Sequence, residues 1–206
     1  MPLPLILAIT GASGAVYATR LLEVLLRSGQ TVHVTISPSG AAVLQQELGL
    51  EVNLDTFRPG MLLPGKSEPQ DIQVYAGQLH YYHYQNFFAP MASGSFLNAG
   101  MVICPCSGGT LGGIAHRVSS NLIQRAADVQ LKERRKLIVV PRETPLSTIH
   151  LDNMKRLVEA GGIVLPAMPG WYHGVQTLQD LIDFVVGRIL DQLGIEHTLT
   201  KRWGEE

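Results

Sequence analysis

Short apolar runs alternate with stretches of helical periodicity along most of this chain. Leu5 to Ile9 is an unbroken apolar run ending in a glycine-containing turn, and from Val16 to Leu26 the apolar residues return at helical spacing through Leu21, Leu22, Leu25 and Leu26. This predicts a strand, a loop and a helix. Thr31 to Ile36 reads as a second buried strand, after which Ser37 and Pro38 supply an N-cap and a proline at the first helical position, for a helix ending near Gly49. Further strands are expected at Ile72 to Tyr75, Met101 to Cys104, Leu137 to Val140 and Ile163 to Leu165. Helices are expected from Asn121 to Glu133, Leu151 to Ala160 and Leu178 to Leu193, the last with Leu181, Ile182, Val185, Val186, Ile189 and Leu190 on one stripe.

Apolar strands alternating with amphipathic helices imply a three-layer α/β fold of the Rossmann or flavodoxin-like kind, a mainly parallel sheet covered by helices on both faces. At 206 residues one domain is expected over 1–206, large enough to bury roughly 70% of the surface of its unfolded chain without disulfide or metal support. Prolines and glycines among charges from Asn53 to Gln70 predict a surface excursion, within a variable loop region spanning 53–85. The tail 196–206 reads as irregular, with Trp203 as a possible anchor.

Composition narrows the function. A net charge of −1, from 16 basic and 17 acidic residues, offers no field to gather nucleic acid or an anionic membrane, so any bound anion needs a local cluster. No apolar run approaches the ~20 residues that span a bilayer. The apolar fraction of 46% and a mean hydropathy of +0.14 are rich for a monomer, which points to subunit contacts. Met1 to Thr10 lacks the basic start of a signal peptide, and Cys104 and Cys106, too close to bridge each other readily, read as buried thiols of a cytoplasmic protein.

In open parallel sheets ligands bind at the carboxyl ends of the strands. There the sequence sets Thr10-Gly11-Ala12-Ser13-Gly14, small residues that would let helix N–H groups approach an anion or a flavin, and Cys106-Ser107-Gly108-Gly109-Thr110, a second such turn. Packing alone could demand either one. A bulky residue at Gly11 is expected to exclude the cofactor and leave the fold intact. Neither the dinucleotide fingerprint nor the P-loop spacing is present, so a mononucleotide is the better guess. Arg142 and Glu143 stand between two prolines on a stiff loop. Arg125 and Lys132 lie two turns apart on one helix face and could converge on one anion. Tyr172 offers a hydroxyl donor, Trp171 and His173 read equally as packing residues, and Arg188 lies off the apolar stripe of the last helix. His33, His80, His83, His116, His150 and His197 show no ligand spacing and read as structural or exposed; no metal site is expected.

Taken together, these segments resemble the UbiX family of flavin prenyltransferases, within the flavin-containing cysteine decarboxylase-like proteins. The resemblance runs through Thr-Gly-Ala-Ser-Gly at 10–14, Ala-Ser-Gly-Ser at 92–95, Met-Val-Ile-Cys-Pro-Cys-Ser at 101–107, Asn-Leu-Ile-Gln-Arg-Ala-Ala-Asp-Val at 121–129 and Leu-Lys-Glu-Arg-Arg at 131–135. It continues in Val-Pro-Arg-Glu-Thr-Pro at 140–145, Pro-Gly-Trp-Tyr-His at 169–173 and Arg-Trp-Gly-Glu at 202–205. It implies FMN held by Gly11, Ala12, Ser13, Ser37, Ser107, Gly108, Gly109, Thr110 and Arg142. It implies a dimethylallyl monophosphate site made by Ser93, Arg125, Lys132, Arg142, Glu143, Tyr172 and Arg188, with Ser13, Glu47 and Glu143 closest to the chemistry. The implied reaction joins the dimethylallyl group to N5 and C6 of reduced FMN, for use by a UbiD-type decarboxylase as in ubiquinone biosynthesis. Family members are homo-oligomers, often dodecamers, with sites at subunit contacts. An FMN-dependent cysteine-type decarboxylase and a non-catalytic FMN carrier are the alternatives.

Overall fold

The computed structural model describes residues 2–63, 77–202 and 204. Six strands form one sheet, β1 (Leu5–Ile9), β2 (Val32–Ile36), β3 (Leu79–Tyr81), β4 (Gly100–Cys106), β5 (Leu137–Pro141) and β6 (Ile163–Val164). Their spatial order is β3-β2-β1-β4-β5-β6, and every pairing is parallel. Parallel neighbours need crossovers, and among the described residues five α-helices lie between strands, α1 (Ala15–Arg27), α2 (Pro38–Leu48), α3 (Gly108–Ala115), α4 (Leu122–Lys132) and α5 (Thr148–Glu159), while α6 (Leu178–Leu193) follows β6. The strand order reverses between β1 and β4. That junction opens the crevice where ligands bind in such sheets.

Alternating strand residues feed two cores. Leu5, Leu7, Ile9, Val32, Val34 and Ile36 pack with α1, α2 and α6, while Ile6, Ala8, Met101 and Ile103 pack with α3, α4 and α5 on the opposite face. The two cysteines follow the same alternation, Cys104 in the first core and Cys106 in the second. Both are free and buried, and burial pushes the Cys106 thiol up to about 12 and that of Cys104 further.

Local capping explains where the helices start. Ser37, Ser107 and Asn121 accept the amides of Gly40, Thr110 and Gln124. Ser147 and His150 form a capping box, so α5 begins at Thr148, three residues before the apolar pattern predicts. The strand expected at Ile72 to Tyr75 and the anchoring role of Trp203 lie outside the described residues. The excursion is less superficial than its composition suggests. Leu62 is fully buried, Phe57 stacks on Tyr81 at 4.2 Å, and β3 adds an edge strand that no sequence pattern announced, because three residues carry too little periodicity. Residues 196–202 form neither helix nor strand, and Ile195, His197 and Leu199 tie this stretch to α6 and the core.

Candidate active site

Thr10, the residue after β1, is 1% exposed. Its hydroxyl donates to the Pro105 carbonyl at 2.9 Å and accepts the Ser107 amide at 2.8 Å. One side chain therefore joins the two small-residue turns across the crevice. The sequence places Thr10 at the head of the glycine turn without assigning it a role; a hydroxyl closing an apolar run is the sign of this link.

The helix ends around this crevice are not equivalent. Glu47, from α2, lies across the start of α1 and accepts the Gly14 amide at 2.9 Å and the Ala15 amide at 2.8 Å. Partial burial alone would raise its carboxyl, but hydrogen bonds from the Ser13 hydroxyl and these two amides, with the charge of Arg142 nearby, hold it below the ordinary carboxylate value. The anionic position at α1, expected to serve a ligand, thus belongs to a side chain of the protein. The start of α3 remains available. Ser107 satisfies Thr110, leaving the amides of Gly108 and Gly109 without an intrahelical acceptor. A Cβ on Gly109 would meet nothing within 4 Å, so this turn faces open space.

Gly11 corrects the sequence expectation. A Cβ there would overlap the Ser39 Cβ and press on the Ser39 backbone, so a bulky residue would displace the start of α2 as well as any ligand.

Arg142 adjoins the α3 turn because Cys106 pairs with Pro141 in the sheet. Its Nε is buried without a hydrogen-bond partner, an uncommon condition for a charged group and one that a bound anion would relieve. Arg142 and Glu143 also border a cavity of about 60 Å³ with Thr144, Met154 and Met168. Ligand clefts run to ~300–1,000 Å³. That cavity alone is smaller than a flavin requires.

The other predicted residues each hold local partners. Arg125 donates to the Ala92 carbonyl at 3.1 Å, and Lys132, paired with Glu133, approaches Gly94. Both flank the Ser93–Ser95 loop, where the two hydroxyls bond at 2.9 Å, but α4 runs opposite to the strands. Seven residues of helix separate the Cα atoms of the two cations by ~10 Å, a span that two long side chains can close, and both reach the same loop. Tyr172 is exposed and meets Phe184 edge-on at 5.7 Å. Arg188 pairs with Asp191 at 2.8 Å, ten residues into α6 and ~15 Å from its start. Of the histidines, His33 is buried among His80, Tyr82 and Phe96, while His116 bonds Asn153.

The flavoprotein family model matches residues 2–190. A flavin prenyltransferase UbiX from Alkalihalophilus pseudofirmus is 49% identical over 203 residues, covering 96% of this chain and 94% of that protein. The solved structure of AnUbiX (PadA1) in complex with FMN and dimethylallyl pyrophosphate has a TM-score of 0.84 at 33% identity and covers 100% of both chains. A dodecameric FMN-dependent UbiX-like decarboxylase from Escherichia coli O157:H7 has a TM-score of 0.82 at 36% identity, covering 98% of this chain and 100% of that one.

Proposed function

The chain belongs to the UbiX family of flavin prenyltransferases, and we propose that it transfers the dimethylallyl group of dimethylallyl monophosphate to N5 and C6 of reduced FMN. The observation that supports a phosphate-bearing flavin here is the buried, unpartnered Nε of Arg142 beside the open first turn of α3. When bound, reduced FMN supplies the nucleophilic ring atoms. Gly11, Ala12 and Ser13 would form one wall of its site, with Ser37 and Ser107 to Thr110 supplying donors and Arg142 the fixed charge.

Departure of phosphate from an allylic carbon leaves a delocalised cation. The enzyme must hold the leaving anion with fixed positive charge and keep water from the cation. We assign the anion to Arg125, Lys132, Arg142, Tyr172 and Arg188, with Ser93 as a further donor. Glu143, or the departing phosphate, would accept the ring proton released when the second bond closes. Ser13 and Glu47 are already linked through the Ser13 hydroxyl, and we assign them to proton handling beside the flavin. The site would be completed by neighbouring subunits, in a closed homo-oligomer like the dodecameric UbiX-like decarboxylase. The product would pass to a UbiD-type decarboxylase in the cytoplasm.

Anaerobic incubation with reduced FMN, dimethylallyl monophosphate and a chelator tests the reading by mass analysis of the flavin. A flavin heavier by one dimethylallyl unit is expected. Recovery of unaltered FMN after such incubation would overturn the prenyltransferase reading and leave an FMN-dependent decarboxylase or a flavin carrier.

A further inference from the structure

The loop after β5 brings a second polar group to the start of α3. Gly108 and Gly112 lie one turn apart on the α3 face that packs against α5, and their missing side chains let the two helices approach. A Cβ on Gly108 would stand 3.0 Å from His150 Nε2, and one on Gly112 would stand 3.3 Å from Asn153 Nδ2. His116, a further turn along, bonds Asn153 at 3.1 Å. The first turn of α3 thus has an imidazole nitrogen over it, and that nitrogen comes from another helix.

The capping box settles which nitrogen carries the proton. The Ser147 amide donates to His150 Nδ1 at 3.2 Å, and a nitrogen that accepts a backbone N–H has no proton of its own. In the neutral ring the proton therefore sits on Nε2. No hydrogen bond from Nε2 is found among the described residues, so this N–H is available beside the amides of Gly108 and Gly109.

Resting on the flavin-phosphate reading above, we infer that His150 is a positioning residue that donates, through Nε2–H, to a phosphoryl oxygen held at the first turn of α3. The chemistry it reads is a phosphate monoester, which could be that of FMN or of the prenyl substrate. Either way, Ser147 orients the donor while the same pair caps α5. This gives a reason for a histidine at a position where a capping box more commonly carries Glu or Gln.

The test compares flavin-free full-length wild type with His150→Leu, which lacks the donor, and His150→Gln, which keeps both a cap and an amide donor. FMN and riboflavin affinities are measured by flavin fluorescence, and KM for dimethylallyl monophosphate at saturating FMN. If His150 holds the FMN phosphate, the preference for FMN over riboflavin falls about ten- to a hundredfold in His150→Leu, as expected for a lost bond to a charged group, and recovers to within about threefold in His150→Gln. If it holds the prenyl phosphate, KM rises by a similar factor while that preference is unchanged. Should His150→Leu not fold, His150→Glu, which keeps the cap but presents an anion, replaces it in both comparisons. Unchanged ratio and KM in a folded variant overturn the inference, as does an equal loss of FMN and riboflavin affinity, which would mark a purely structural role. Wild type with no preference for FMN over riboflavin would instead remove the flavin-phosphate reading on which the inference rests.

Discussion

Replacing Thr10 with valine isolates the link between the two turns of the site. Valine has nearly the shape of threonine, so the 1% exposed position stays filled and only the hydroxyl is lost. Two hydrogen bonds go with it, at 2.9 and 2.8 Å, and their loss is unequal. The Pro105 carbonyl keeps the Thr10 amide at 3.2 Å, whereas the Ser107 amide loses its acceptor. An orphaned donor of this kind costs about 1–3 kcal/mol. For a chain of this size each kcal/mol lowers Tm by about 2–4 °C, so a central cost of about 2 kcal/mol predicts a fall of about 4–8 °C. Tm should be read at fixed protein concentration, since subunit association adds to apparent stability. Because Ser107 caps α3, FMN affinity should fall as well, and Thr10→Ser should restore both properties. A Thr10→Val protein within about 1 °C of wild type, with unaltered FMN affinity, would refute the claim that this hydroxyl holds the turns in register.

Gly109→Val should leave stability unchanged or raise it by less than about 1 kcal/mol, since an added Cβ meets no protein atom within 4 Å and glycine disfavours helix; its FMN affinity, measured by fluorescence titration, should fall at least about tenfold. His33 provides the pH test. Burial, and secondarily the nearby His80, lowers its pKa from 6.5 to about 4, so the folded protein keeps it neutral while the unfolded chain protonates it. Its contribution to stability is intact above about pH 6.5 and declines as pH falls to about 4, by up to about 3 kcal/mol. Urea denaturation across that window should show wild type losing more stability than His33→Phe; parallel pH profiles would remove His33 as the cause.

The alternation of apolar strands and amphipathic helices was enough to read the layered parallel sheet, because burial on both faces leaves period and length as direct marks in the chain. The Ser37 N-cap and the glycine turns at strand ends were equally legible, since their chemistry is local. What the pattern could not convey depends on residues far apart in sequence. Glu47 takes the helix end at α1 only because α2 packs there, and Gly11 is constrained by Ser39 rather than by a ligand. Thr10 and Ser107 meet across a gap of 97 residues. Likewise Arg125 and Lys132 share a helix face, as their spacing requires, but only the packing of α4 sets both against the 92–95 loop. Spacing determines which face a side chain occupies. Only the packing of that face against other elements decides what it meets, because the enclosing groups come from separate crossovers.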